Sequence, residues 1–368
     1  MNSVTVTSPT ELAAALDIDA IRSFATIVDE RTRLECFENY QNRLKPNTLK
    51  NYLADLRDFG TYLVIGENII NETFNSADMT SYKSQGSKVA ESLLSSPSAW
   101  DIVTFGLVAQ YQKYMLSDGQ SIATINRRIS TIKAYAKVAH QASYIDDSQY
   151  LPIKALPGLH GNAARNADSE RDVTRKSTKK SEWTRISEDT VNAMINNDGL
   201  TPRDIQDALM VAILAEHGLR ESELVILTTD NIDFDESVMR IKRPKNEGTA
   251  TENGTHTLTR NVKRLINLWV SHPQGAREGE PLFFQMSKSG FVQNRQTLST
   301  RGVQRAIKRI GLAHNVDNLS PHDLRHHAAC VMAKHHDVAD LCAWFGWNTE
   351  RMALYYIDLA AKRTRKDK

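Results

Sequence analysis

Apolar residues recur at helical spacing in the first part of the chain. In KPNTLKNYLADLRDFGTYLV, residues 45–64, the apolar positions lie three and four apart: Leu49, Tyr52, Leu53, Leu56, Phe59, Tyr62 and Leu63. This spacing predicts an amphipathic helix, with Asn47 or Thr48 as its N-cap. Residues 121–140 predict a second helix, whose apolar stripe is formed by Ile122, Ile125, Ile129 and Ile132.

Polar stretches interrupt this pattern. Residues 1 to about 20 are expected to form a short arm, and residues 64–100, rich in Ser, Asn and Gly, a loop-like insertion. Residues 144–185 hold prolines, glycines and mixed charge, with few apolar positions after 160, which is typical of an interdomain linker. The linker carries a basic cluster: Arg175, Lys176, Lys179 and Lys180. This cluster is either a solvated tether or a contact to nucleic-acid phosphates.

A second domain is predicted to begin at residue 186. ISEDTVNAMI starts with a capping box at Ser187, and DIQDALMVAILAEHGL predicts a long apolar helix. Residues 225–259 alternate β-branched and polar positions and are broken by Asn, Asp and Gly, which indicates strands and a hairpin. After about residue 260 the pattern predicts helices again, and no internal repeat is evident.

Composition narrows the class of protein. The chain has 368 residues, enough for about two domains, and 40% of them are hydrophobic. A net charge of +2 means that any nucleic-acid binding must come from local patches. The cysteines, Cys36, Cys330 and Cys342, are too few and scattered for a disulfide framework. With no long apolar run and no secretory pattern at the start, a cytoplasmic protein that does not enter a membrane is expected.

One helix start, SPHDLRHH, gathers groups that bind anions. Ser320 is a candidate N-cap, Pro321 suits the first helical position, and Asp323 completes a capping box. His322 and Arg325 lie three residues apart and therefore share one face of the first turn. The amides of that turn attract anions, and a guanidinium fits phosphate oxygens. We expect a phosphate site here; the alternative is that Arg325 pairs with a nearby acid and His322 only caps the helix.

The same segment has a second interpretation as a metal site. His322 and His326 are spaced i, i+4, and His335 and His336 follow. Zinc sites on helices use such pairs, but they need a third ligand. Arg325 lies between the two histidines, and its positive charge disfavours a cation. No metal is therefore predicted.

Two further segments carry cationic candidates. In AEHGLRESELVIL, Arg220 and Glu223 form either a surface ion pair or, with Arg325, part of a clamp on one phosphate. In IKRPKNEGT, the basic residues Lys242, Arg243 and Lys245 crowd a predicted hairpin tip. They either keep the hairpin soluble or supply a proton donor for an oxygen leaving group.

The segment WFGWNTERMALYYIDLA supplies aromatic candidates. Trp344, Phe345 and Trp347 are most simply core residues. Tyr355 and Tyr356 are adjacent, so on a helix their side chains diverge by about 100° and only one can enter a given pocket. A tyrosine can act as a covalent nucleophile if cationic neighbours activate it.

These residues stand in the order arginine, lysine, His-x-x-Arg, tyrosine, which resembles the tyrosine recombinases, the superfamily of phage integrases, Cre and Xer. GLRESEL resembles the first arginine box of that family, HDLRHH its His-x-x-Arg box, and GW with YYI its last segment. The resemblance implies a catalytic set of Tyr356, Arg220, Lys245, His322, Arg325 and Trp347, with Glu223 as acidic companion. The family spacing, nine residues after Trp347, favours Tyr356 over Tyr355, and Lys242 is the second choice for the lysine.

The resemblance also implies a fold. We expect a mainly α protein with a small β-sheet or hairpin, built as a two-domain, C-shaped DNA clamp. Its parts would be an N-terminal arm (1–20), a helical core-binding, SAM-like domain (21–145), a basic linker (146–185) and a mixed α/β catalytic domain (186–368).

The activity implied is site-specific DNA recombination through a 3′-phosphotyrosine intermediate and a Holliday junction, without metal, nucleotide or other cofactor. The implied partners are double-stranded DNA with an inverted-repeat site and three further copies of the chain in a homotetramer. Predicted DNA contacts come from one helix and the hairpin: Thr124, Arg127, Arg128, Thr131, Lys137, Lys242 and Arg243. A nicking-closing topoisomerase and a DNA-binding protein with a decayed site are the alternatives, and the biological task and any accessory DNA-bending protein stay open.

Overall fold

The computed structural model describes residues 17–169, 183–196, 199 and 201–366, with side chains up to 361. Two compact units divide the chain, and the boundary between them lies at 179/180. Both units are mostly helical, and small sheets occur in the second. The predicted fold class, mainly α with a small sheet, is confirmed. Within the described residues, no helix is long and apolar enough to span a bilayer.

The first unit is a set of helices. They are α1 (Ile18–Leu34), α2 (Cys36–Gln41), α3 (Pro46–Ile70), α4 (Met79–Ser95), α5 (Phe105–Ser117), α6 (Ile122–Gln141), α7 (Asp147–Ala155) and α8 (Gly161–Ser169). The two strongest periodic patterns of the sequence became α3 and α6. Their apolar stripes, including Leu56, Phe59, Ile125 and Ile129, are buried in one core. The predicted caps of α3 are wrong, because Pro46 occupies the first turn and Lys45 the cap position.

The predicted loop-like insertion over 64–100 is also wrong. The helix α3 runs on to Ile70, and most of the remaining segment forms α4. Glycine at the contact between these helices allows their backbones to approach closely: a Cβ on Gly86 would lie 2.5 Å from the amide nitrogen of Thr61, and one on Gly60 would overlap the carbonyl of Gly86. Gly86, one of the small residues that suggested a loop, therefore belongs to a close packing surface.

The predicted linker begins too early. The helix α7 lies within the span assigned to it, yet Tyr150, Ile153 and Leu156 are buried in the first core. Their periodicity was obscured by Pro152, which lies inside this helix. The first sixteen residues of the predicted arm and the basic cluster at 175–180 lie outside the described residues.

The second unit holds the remaining elements. Its helices are α9 (Glu188–Ile195), α10 (Pro202–Ala212), α11 (Glu221–Leu224), α12 (Arg260–Ser271), α13 (Thr300–Ala313), α14 (Pro321–Met332), α15 (Val338–Phe345) and α16 (Arg351–Lys366). Its strands are β1 (Ile232–Asp233), β2 (Val238–Lys242), β3 (Asn253–Thr257), β4 (Phe284–Met286) and β5 (Val292–Thr297).

The strands form two antiparallel sheets. In the first, β2 pairs with β1 and with β3, with Met239 opposite His256. This confirms the predicted strand and hairpin. The second sheet, β4–β5, was missed, because the expectation after residue 260 was helix throughout. The strand β5, VQNRQT, is polar and partly exposed, so it carries little hydrophobic pattern.

Local sequence sets the starts of the elements that carry candidate residues. The helix α14 begins with the predicted capping box, since Ser320 and Asp323 bond each other's backbone amides. The apolar helix α10 ends in a wide π turn, Ile213–His217, followed by Gly218 at φ +65°. A Cβ on Gly218 would also collide with Phe345, so glycine is required here on two grounds. The chain reverses direction at Gly218, and Arg220, two residues later, contacts Glu223 and the carbonyl of Gly346.

We predict that Gly60→Ala lowers the stability of the first unit by about 1–3 kcal/mol, because the added methyl group overpacks the α3–α4 contact. Gly66→Ala is the matched control on the same helix, where a Cβ would meet no atom within 4 Å. It should stabilise the unit by up to about 1 kcal/mol through helix propensity. Urea unfolding of both variants measures this; equal effects of the two substitutions would refute the close packing.

Candidate active site

The C-terminal end of α15 is the point where the candidate residues meet. Its last carbonyl groups accept hydrogen bonds from side chains of three distant segments: Trp344 from Arg243 Nη2 (2.7 Å), Phe345 from Arg325 Nη2 (2.8 Å), and Gly346 from Asn246 Nδ2 (2.8 Å) and Arg220 Nη2 (3.5 Å). A helix C-terminus carries partial negative charge, which favours guanidinium groups. One backbone segment thus gathers the arginines and the hairpin turn.

Glu223 joins the two predicted catalytic arginines. Its Oε1 lies 2.6 Å from Arg220 Nη1, and its Oε2 lies 3.7 Å from Arg325 Nη1. Oε2 also accepts the backbone amide of Arg220 at 2.8 Å. The carboxylate is 2% exposed. Both arginines are therefore brought to one carboxylate, and Arg325 pairs with an acid as the alternative expected; the clamp on a phosphate stays a prediction.

Arg325 is held in a dry environment. It is 6% exposed, and its guanidinium lies 5.2 Å from the ring centroid of Phe345 and donates to the carbonyl of Gly218. Burial, together with the positive charge of Arg220, lowers the pKa of Arg325 to about 10. A cation in such surroundings attracts an anion more strongly than the same cation in water.

Tyr356 enters the interior and its neighbour does not. Tyr356 is 3% exposed and Tyr355 is 47% exposed. The ring of Tyr356 stacks on Trp347, with centroids 5.5 Å apart and planes 6° apart, and Trp347 stacks in turn on Phe345 at 4.7 Å. Burial raises the pKa of Tyr356, while the charge of Arg325 opposes that rise. The expected divergence of the two tyrosines is observed.

His326 is a site residue that sequence reasoning missed. Its Nδ1 is hydrogen-bonded to the phenol oxygen of Tyr356, and its ring lies 5.5 Å from that of Trp183 and 4.4 Å from that of His322. The i, i+4 spacing of His322 and His326 indicates a possible metal pair and gives no sign of a contact with Tyr356. Among the residues that the structure describes, no group of three or more His, Cys, Asp or Glu residues is suited to hold a metal ion.

His322 and Lys245 lie on the exposed edge of this cluster. His322 lies in the first turn of α14, two residues after the capping Ser320, and its pKa is lowered by partial burial and by the positive charges of Arg325 and Lys245. Lys245 stands on the turn between β2 and β3, and both it and Lys242 are exposed. Asn246, the residue after Lys245, bonds the carbonyl of Gly346, so the hairpin turn lies beside the end of α15.

Two residues of α6 that are predicted to contact DNA instead bond acidic side chains within the first unit. Thr131 is fully buried and donates a hydrogen bond to Asp55 at 2.8 Å, so the prediction that it contacts DNA is wrong. Arg128 is largely buried and bonds Asp58 at 2.6 Å. The sequence pattern assigns the polar side of this helix to solvent, whereas part of it packs against acids of α3.

The other predicted contacts of α6 are more accessible. Arg127 is 46% exposed in its side chain while pairing with Asp55 at 2.5 Å. Lys137 is exposed, and the hydroxyl of Thr124 bonds that of Ser121, the N-cap of α6. These three stay predictions.

The prediction that Arg243 contacts DNA is also wrong. Arg243 is 2% exposed, and its guanidinium donates to the carbonyls of Trp344, Ala343 and Thr251. A Cβ on Gly346 would lie 2.5 Å from its Cδ atom. Arg243 fills the space beside the end of α15 and has a structural role in the second unit.

Two neutral histidines lie beneath this cluster. The rings of His217, His256 and Trp344 are stacked, with His256 3.8 Å from Trp344, and His256 Nε2 donates to the carbonyl of Trp344 at 2.9 Å. Burial lowers the pKa of His217 to about 4 and that of His256 to about 3. Both rings are therefore uncharged near neutral pH.

Comparison with known proteins gives consistent similarities. Residues 184–363 match the model of the phage integrase family. A tyrosine recombinase XerC from Corynebacterium glutamicum is 24% identical over 233 residues, which cover 62% of this chain and 66% of that relative. The chain therefore spans slightly less than two thirds of that relative's length.

Solved structures extend the likeness to both units. A structure of the Tn1549 transposon integrase in complex with a circular intermediate DNA is similar with a TM-score of 0.54 at 15% identity, covering 84% of this chain and 98% of that one. A structure of the XerH site-specific recombinase bound to a palindromic difH substrate has a TM-score of 0.53 at 14% identity, covering 88% and 97%. At such identities these similarities show the fold.

We predict that the buried histidines make the second unit less stable in acid. A histidine whose folded pKa lies below its ordinary value near 6.5 contributes stability above that pH, and the contribution is lost as pH falls towards the folded pKa. Between about pH 6 and pH 4, the wild-type chain should lose up to about 1.4 kcal/mol per pH unit more than His256→Gln.

Unfolding by urea across this pH range measures the difference. The glutamine amide can still donate to the carbonyl of Trp344 but does not titrate. His335→Gln, at an exposed position, is the control and should follow the wild type. Parallel pH curves for all three proteins would show that His256 is not buried in the neutral form.

Proposed function

Since residues 184–363 match the model of the phage integrase family, we propose that this chain is a tyrosine recombinase, which cuts and rejoins DNA strands as a site-specific recombinase. The observation that carries the proposal is the meeting of three groups in one unit. Arg220 and Arg325 share Glu223. The buried Tyr356 stacks on Trp347, which stacks on Phe345, and Arg325 contacts both the ring and the carbonyl of Phe345. Two guanidiniums beside a phenol suit attack on a phosphodiester.

The proposed reaction begins at the phosphorus of one strand. The phenol oxygen of Tyr356 attacks, so that a bond from phosphorus to this oxygen forms and the bond from phosphorus to the 5′ oxygen breaks. Arg220 and Arg325 meet the negative charge that grows on the non-bridging oxygens. Trp347 orients the phenol by stacking, and His322 hydrogen-bonds the phosphate.

Two protons must move in this step. The phenol proton passes to His326, whose Nδ1 is in contact with the phenol oxygen, and Lys245 gives a proton to the departing 5′ oxygen. The phosphodiester bond energy is kept in the 3′-phosphotyrosine link. A 5′ hydroxyl from a second duplex can then reverse the step, which joins new strands through a Holliday junction. The proposed steps use side chains alone and call for no metal or nucleotide.

We propose double-stranded DNA with inverted repeats as the substrate. Similar folds in the Tn1549 integrase and XerH were solved with DNA, the latter with a palindromic substrate. The helical first unit would bind DNA as a core-binding domain, the part from 186 onward would be catalytic, and the predicted linker would connect the two. Exchange between two duplexes requires four tyrosines, so the active assembly would be a homotetramer on the DNA, in the cytoplasm. The accessible basic residues Arg127, Lys137 and Lys242 remain candidate contacts.

We predict that Tyr356→Phe abolishes covalent attachment to DNA, whereas Tyr355→Phe, at the exposed neighbour, retains it. The probe is a nicked duplex selected from a random-sequence pool by covalent capture on the wild-type protein. The nick lets the short downstream strand diffuse away, so that the adduct accumulates and is seen on a denaturing gel. An adduct in Tyr356→Phe, or its loss in Tyr355→Phe, would contradict the assignment. Relaxation of one duplex without joining of two would indicate a nicking-closing enzyme instead.

We predict that His326→Phe slows adduct formation by about 100-fold or more, since a positioned base contributes about that much. Phenylalanine can keep the ring packing against Trp183 but cannot accept the proton. An imidazole must be neutral to act, so the wild-type rate should fall in acid, and this fall should be absent from the variant. Single-turnover rates across pH measure both effects, with His335→Phe as an exposed control. A slow variant with an unchanged pH profile would limit His326 to a packing role.

A further inference from the structure

We propose that Asn246 and Arg243 are positioning residues for the proton donor: they fix the turn that bears Lys245 to the C-terminal end of α15. The same backbone segment continues into Trp347, which stacks on Tyr356. The donor and the nucleophile would thus be placed from one piece of main chain. This inference rests on the proposed function, in which Lys245 protonates the leaving oxygen.

Asn246 makes the direct link. Its side chain is 5% exposed and donates from Nδ2 to the carbonyl of Gly346 at 2.8 Å. The same nitrogen lies 2.7 Å from the hydroxyl of Thr251, on the other side of the turn. That hydroxyl donates to the side chain of Asn348 at 2.5 Å. A buried polar side chain so engaged is expensive to move, because its partners would be left unsatisfied.

Arg243 holds the other side of the lysine. Its backbone amide donates to the carbonyl of Glu252 at 2.8 Å, and its own carbonyl accepts the amide of Asn246 at 2.8 Å. Lys245 therefore lies inside a single hydrogen-bonded turn, Pro244–Asn246. The guanidinium of Arg243 bonds the carbonyl of Trp344 at 2.7 Å. Arg243 and Asn246, on either side of Pro244 and Lys245, are thus bonded to Trp344 and Gly346 at the same helix end.

Lys245 itself is exposed, whereas Arg243 and Asn246 are buried. A lysine side chain has many rotamers, so fixing its backbone is the main way in which the fold can direct its ammonium group. Asn246, the residue after Lys245, and Arg220 both donate to the carbonyl of Gly346, so the turn that bears the lysine lies beside the arginine cluster. Loosening the turn should therefore impair proton delivery while the arginines stay bound to Glu223 and Phe345.

A substrate with sulfur in place of the bridging 5′ oxygen isolates the protonation of the leaving group from the other parts of the reaction. With oxygen, the bond from phosphorus to the 5′ oxygen breaks and the oxygen needs a proton. With sulfur, the corresponding bond breaks and a thiolate departs without one, since a thiol is a much stronger acid than an alcohol. Attack by Tyr356 and charge neutralisation by the arginines are required in both cases. A defect confined to proton delivery should disappear with the sulfur substrate.

The experiment measures single-turnover adduct formation by the full chain on the nicked duplex selected above, in an oxygen and a sulfur form. Lys245→Ala should be slower than wild type by about 100-fold or more on oxygen and nearly equal on sulfur. Asn246→Ala should be slower than wild type by at least about tenfold on oxygen, because it loses part of the general-acid effect. On sulfur it should stay within about threefold of wild type. The double variant should be no slower on oxygen than Lys245→Ala alone.

Asn253→Ala is the matched control, since this asparagine is exposed and stands on the same hairpin opposite Lys242. It should equal wild type on both substrates. An Asn246→Ala defect of the same size on oxygen and sulfur would overturn the proposal, as would no defect at all. Failure of sulfur to rescue Lys245→Ala would overturn both the donor assignment and this inference. A wild-type chain that forms no adduct would instead refute the proposed function itself.

Discussion

The hydrogen bonds to the C-terminal end of α15 are the interactions on which the candidate active site in the second unit depends. The terminal carbonyls of α15 have no partners within the helix, and they are bonded instead by Arg243, Arg325, Asn246 and Arg220. Buried guanidiniums are tolerated only where acceptors surround them. The helix end supplies these acceptors, and Glu223 supplies the balancing negative charge. The position of Gly346 in the left-handed region, at φ +61°, ends the helix and leaves room for Arg243. Segments that are far apart in sequence are thereby brought to one place.

In this arrangement, the positive charge of Arg220 and Arg325 is already partly neutralised by Glu223 before any phosphate binds. Glu223 holds both arginines, so it sets their spacing and moderates their mutual repulsion. A phosphate would enter a site whose cations are fixed beforehand, which lowers the reorganisation needed in the transition state. Tyr356 is kept protonated by burial, and its activation must come from the same cations and from His326. In the proposed reaction, the arginines thus bind the charge of the phosphate, while His326 removes the phenol proton.

Sequence was informative where a local rule determines structure. The stripes of α3 and α6, the capping box at Ser320 and the β2–β3 hairpin followed from periodicity and turn chemistry. Sequence was misleading where small or charged residues serve tertiary contacts. Gly60 and Gly86 are packing residues, Thr131 bonds a buried acid, and Arg243 binds backbone carbonyls. The contact between His326 and Tyr356 joins two helices, and no local pattern indicates it. Motif order selected arginines and a tyrosine that lie in one unit, but it could not distinguish an exposed basic residue from a buried one.

The central claim is that Tyr356 is the group that becomes joined to DNA. The most direct measurement is mass spectrometry of the wild-type adduct after digestion with trypsin and nuclease. Cleavage after Arg351 and Lys362 leaves both adjacent tyrosines in one peptide, and fragmentation between them locates the attached nucleotide. A 3′-linked nucleotide on Tyr356 is expected. A nucleotide on Tyr355, on another residue or on no residue of the chain would contradict the claim.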